Sequence, residues 1–130
     1  MRALCAQHGF AVLALLVLCV PAAALQMPSG KSVTLLEVLR DQVSGEDWLR
    51  FRFVAEGISR ADPYETTADD MLYLCERQAL PYLHAHALRA DVVVISLADR
   101  ATEFGVADPE VVQFFEAFRP DSDVCMWEAQ

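Results

Sequence analysis

The run Val92 to Leu97, within ADVVVISLADR, limits the fold more than any other stretch of this sequence. It is almost unbroken in apolar residues and rich in β-branched ones. A strand with one wet face alternates; a strand without alternation is buried on both faces, which makes this the centre of a sheet. A second segment supplies the contrast. WLRFRFVA alternates, with Leu49, Phe51, Phe53 and Ala55 on one face and Trp48, Arg50, Arg52 and Val54 on the other. It is a strand with one apolar face and one cationic face.

The remaining segments arrange themselves around these two. Pro28, Ser29 and Gly30 form a turn that introduces a strand from Val33 to Arg40, and the polar loop DQVSGED joins it to WLRFRFVA as a hairpin. A helical alternative for the first of these strands remains, because Thr34 and Glu37 have capping-box spacing and Leu35, Leu36 and Leu39 fit one helical face. TTADDMLYLCERQAL predicts a helix capped by Thr67, with Asp69 and Asp70 in its first turn, where the helix dipole favours carboxylates. Met71, Leu74, Cys75, Gln78, Ala79 and Tyr82 form its apolar stripe, and Pro81 predicts an end or a kink near Leu80. VVQFFEAF reads as a strand with Phe115 on one face and Phe114 and Phe118 on the other; a short helix capped by Asp108, with Pro109 at its first position, is the alternative. The turn PDSD and the run VCMWEA close the chain as a hairpin. The expected fold is α+β: one main helix on a mainly antiparallel sheet of about five strands, in the order β-β-α-β-β-β.

The N-terminus predicts the compartment. Arg2, an apolar run from Phe10 to Val20, and Ala22-Ala23-Ala24 have the three parts of a secretory signal peptide, with cleavage before Leu25. The run is shorter than the roughly 18 to 20 residues that span a bilayer, so no stable membrane anchor is expected after cleavage. Residues 1–24 are then a signal peptide and residues 25–130 one domain of 106 residues (130 less 24), enough for a single core, in a periplasmic or secreted protein. The whole chain carries a net charge of −9, and loss of Arg2 takes it to −10. Such a domain repels nucleic acid and anionic lipid; the charge either only keeps an exported protein soluble or favours a cationic protein partner, with a small ligand as the further candidate.

Export also decides the cysteines. Cys5 and Cys19 leave with the signal, and Cys75 and Cys125 remain in an oxidising compartment, where they are expected to pair. Cys75 lies on the apolar stripe of the helix, as a disulfide to a strand requires.

Several residues are candidates for binding. Arg50 and Arg52 project side by side and present planar donors suited to a carboxylate or phosphate, or else they pair with an acid on the neighbouring strand, Glu37 first. Asp99, Arg100 and Glu103 follow directly on the central strand, where binding loops are often built and where turn chemistry alone also accounts for them. CERQALPYLHAH places Cys75, Glu76, His84 and His86 close in sequence. His84 and His86 share a face only in an extended segment, Glu76 falls on another side of the helix, and no third ligand is evident, so no metal site is expected. The sequence contains no nucleophile elbow, P-loop, dinucleotide glycine pattern or EF-hand loop, and no cofactor is expected.

PSG before a VTL strand, FRFVA, the LC pair on the helix, VVISLADR with EFGVADPE, and QFFEAF with CMWE together resemble a family of small exported bacterial proteins of unknown function. Some of its members are labelled acetolactate synthase, which this sequence does not support: a thiamine-diphosphate enzyme needs a far larger chain and a cofactor motif. The resemblance implies no catalytic or binding residues. The expected role is a noncatalytic binding or interaction module, against the alternative of a small metal-dependent or hydrolytic enzyme using the His84 and His86 region.

Overall fold

A computed structural model describes residues 24–128. The predicted signal, apart from Ala24, lies outside the described residues. Six strands form one sheet in the order β1 to β6: β1 (Leu25–Gln26), β2 (Ser32–Val43), β3 (Glu46–Val54), β4 (Val92–Ala98), β5 (Gln113–Asp121) and β6 (Val124–Trp127). Both segments with helical alternatives, at residues 33–40 and 110–118, contribute strand and no helix.

The expected sheet is corrected in two respects. It has six strands instead of about five, because Leu25–Gln26 pairs with Ser32 and Val33 to add a short β1. It is also mixed: β3 and β4 run parallel, from Trp48 beside Val92 to Val54 beside Ala98, and the other pairs are antiparallel. The order is therefore β-β-β-α-β-β-β. The physical reason for the parallel pair is the helix itself, since a crossover of this length carries the chain back to the end of the sheet from which β3 began.

That crossover runs as α1 (Tyr64–Leu74), a π turn (Cys75–Ala79) and α2 (Leu80–Ala85) without a break. Two predicted details change here. Pro63, not Thr67, occupies the N-cap position, and the Thr67 hydroxyl sits inside the first turns, donating to the Pro63 carbonyl. Pro81 does not end the helix. The Leu80 N–H reaches back five residues to the Cys75 carbonyl, and this widened turn lies directly before Pro81, whose ring would otherwise press on the preceding turn.

One face of the sheet takes the helix. Leu49, Phe51 and Phe53 of β3, Val93, Ile95 and Leu97 of β4, and Phe118 of β5 pack against Met71, Leu74, Cys75, Ala79, Leu80 and Leu83. Full burial of each large side chain contributes about 1.5–3 kcal/mol. The intervening Val92, Val94, Ser96 and Ala98 are buried too, so β4 is covered on both faces as its sequence predicts.

A disulfide joins Cys75 to Cys125 across this face, with α-carbons 6.3 Å apart. The Cys125 N–H also donates to the Glu76 carboxylate at 3.0 Å. The Glu76 side chain, one position on from Cys75, is long enough to reach Cys125 from the adjoining side of the helix. Earlier in α1, buried Asp70 accepts hydrogen bonds from the N–H and the hydroxyl of Ser29, the former at 2.9 Å, and fixes the turn before β2. No helix among the described residues is long and apolar enough to cross a membrane.

Candidate functional site

The other face of the sheet begins with the register of β2 on β3. A bulge between Leu35 and Glu37 shifts the alternation, so that Glu37, Leu39 and Asp41 stand opposite Arg52, Arg50 and Trp48. The Ser44-Gly45 turn, with φ of 51° and 79°, allows the tight hairpin that holds this register.

The two arginines differ sharply. Arg52 is almost buried, with a side chain 7% exposed; it pairs with Glu37 and donates to the Thr102 carbonyl at 2.9 Å and the Thr102 hydroxyl at 3.0 Å. It is a strut between β2, β3 and the loop that follows β4. Arg50 is held more loosely. Its nearest carboxylate oxygen, on Asp41, is 3.6 Å away, and its buried Nε has no partner. The Phe104 ring lies 5.8 Å from the Arg50 guanidinium carbon and 5.6 Å from that of Arg52, with Trp48 5.4 Å from Arg50. At such distances the ring quadrupole attracts the cation.

Between β2 and the loop lies an open cleft of about 520 Å³, lined by Leu36, Glu37, Leu39, Thr102, Glu103 and Phe104, among others. Glu103 is therefore placed beside Arg52 and its partners. Asp99 and Arg100 are not. Asp99 accepts from the Val112 N–H and from Arg100, each at 3.2 Å, while its own N–H donates to the Val112 carbonyl. Both residues stitch the base of the loop. The Arg100 hydrogen bond holds the Asp99 carboxyl below its usual range.

His84 and His86 lie elsewhere. His84 is exposed in the last turn of α2, and His86 stacks on Tyr82 at 4.0 Å with Nδ1 2.9 Å from the Tyr82 carbonyl. That contact requires a proton on Nδ1. Cys75 and Glu76 are both committed to Cys125. Among the described residues, no group of three or more His, Cys, Asp or Glu side chains is arranged to hold a metal.

The pairing of Arg52 with Glu37 agrees with the expectation from neighbouring strands. Thr102 and Phe104 were not predicted. The available signal was a single aromatic residue in the otherwise polar loop DRATEFGVADPE, on a segment that runs over the surface.

A sequence profile for a family of unknown function, DUF6497, matches residues 11–130. The chain belongs to this family. Comparison with curated proteins returned no match, and comparison with solved structures returned none either. Membership of DUF6497 agrees with the resemblance in the sequence and assigns no residue a role.

Proposed function

We propose that this protein is an exported, noncatalytic binding module that meets its partner at the cleft between β2 and the loop after β4. The observation that supports this reading most is a cleft lined by exposed apolar side chains beside acidic ones, although Phe115 on β5 and Val124 and Met126 on β6 are exposed elsewhere. Leu36 and Phe104, both lining the cleft, are 41% and 54% exposed, although the same fold buries the phenylalanines of β3 almost completely. Contiguous exposed apolar surface rimmed by polar groups marks an interaction site more often than a structural one. Glu37 and Glu103 supply the rim, and with the net charge of −9 they favour a cationic protein or small ligand over nucleic acid or a lipid surface.

The test is capture from an extract of exported proteins with two baits, the native chain and a Glu103→Lys, Phe104→Ala variant. A protein retained by the native chain and lost by the variant is the expected result. Equal retention by both, or none by either, counts against the cleft. Export is tested separately by the mass of the N-terminal peptide: a start at Leu25 is expected, and an intact Met1 contradicts it.

A further inference from the structure

The cleft lies beside an open sheet edge. β2 is 12 residues long, and among the described residues its outer edge pairs only at Ser32 and Val33, with the two-residue β1. The bulge ends at Glu37, which leaves Glu37 to Val43 as a regular stretch with no neighbouring strand on that side among the described residues, although Asp41 Oδ1 accepts from the Gln42 N–H at 2.8 Å. The opposite edge is short and guarded: β6 has four residues, and Glu76 occupies the Cys125 N–H. A long edge without a neighbouring strand is a template for another strand.

The side chains along β2 indicate which strand fits. On the face of the cleft they read Glu37, Leu39, Asp41, an acid, an apolar residue and an acid at alternate positions. Both carboxylates are open to solvent, with side chains 39% and 49% exposed. On the other face Arg40 is 61% exposed. Cross-strand neighbours of opposite charge stabilise a pair, and like charges directly opposite destabilise it. A second copy fits poorly: symmetric antiparallel pairing about Arg40 sets Arg40 against Arg40, and pairing about Leu39 sets Glu37 against Asp41. The net charge of −9 opposes it further.

We infer that β2 is extended by a segment of a cationic partner, which adds as an antiparallel strand along Glu37 to Val43 with basic residues opposite Glu37 and Asp41 and an apolar residue opposite Leu39. This rests on the binding-module reading above and supplies its mode. Backbone hydrogen bonds hold the segment, and alternate side chains select it.

The probe is a nine-residue peptide with Arg, Glu, Val, Thr and Arg at its centre, titrated into the purified chain. Two controls accompany it, one with both Arg replaced by Glu and one N-methylated at the Glu set opposite Arg40, whose N–H faces β2, which removes a backbone donor and keeps the charge. Expected are saturable binding, at least tenfold weaker binding of each control and of the native probe to an Asp41→Lys variant, and slowed hydrogen exchange confined to β2 amides between residues 37 and 43. Binding that tolerates N-methylation, or protection that falls on β6 or the helix, overturns strand addition. Absence of peptide binding while the captured partner still requires Glu103 and Phe104 overturns the inference and leaves the binding-module reading standing.

Discussion

Leu49, Phe51 and Phe53 are each at most 3% exposed under the helix, while Arg50 and Arg52, which alternate with them on β3, turn to a face organised by Glu37, Asp41, Thr102 and Phe104. The difference lies in how each face is held together. The helix face is continuous, apolar and cross-linked by Cys75 and Cys125. The arginine face is held by ion pairs and a cation under a ring, interactions that contribute less per contact, and it leaves the buried Arg50 Nε without a partner. One strand thus separates an apolar, helix-packed face from a charged one by the parity of its residues.

The comparison is broken most severely from the helix side. Leu74 is fully buried, and Leu74→Ala should lower the free energy of unfolding by about 2–5 kcal/mol, read from denaturant midpoints. Reducing the disulfide should come next. It closes a loop with a sequence separation of 50, so reduction, or a Cys75→Ala, Cys125→Ala pair, should cost about 2–4 kcal/mol; a midpoint indifferent to reductant would remove the staple. On the other face, Arg52→Met should cost about 1–3 kcal/mol through lost charged hydrogen bonds, and hydrogen exchange should quicken at residues 101–104 while the helix stays protected.

The smallest effect is with pH. Asp99 has a folded pKa below its unfolded value, so its contribution is present above the unfolded value of about 3.9 and is lost as pH falls through the folded one. Glu46, held down mainly by its hydrogen bond from Arg119, and Asp62, mainly by the Ser59 N–H, act in the same direction. Stability should therefore drop on the acid side and show no slope from these groups near neutrality, and Asp99→Asn should make the acid limb shallower.

How much of this was legible depended on whether a feature is local or topological. Alternation in WLRFRFVA separates Leu49, Phe51 and Phe53 from the arginines, and the unbroken VVVISLA marks a strand covered on both faces, because burial acts on each residue separately. The parallel pairing of β3 and β4 has no such signature; it follows from the length and path of the crossover helix. β1 has two residues and no period to detect. The π turn depends on how the helix accommodates Pro81, and the hydrogen bond from Cys125 to Glu76 depends on where β6 lies, neither of which has a local sequence pattern. At the site, charge types pointed to Arg50, Arg52 and Glu103, but the bulge at Leu36 that turns Glu37 toward Arg52 is a property of the strand pair.

Two phenylalanines test the separation of the faces most directly. Phe51 is 1% exposed beneath the helix and Phe104 is 54% exposed over the arginines. The measurement is the difference in unfolding free energy between Phe51→Ala and Phe104→Ala in one denaturant series. Phe51→Ala is expected to lose about 3–5 kcal/mol, and Phe104→Ala less than about 1 kcal/mol. Equal losses would show that the arginine face carries the fold as much as the helix face does, and would contradict the account.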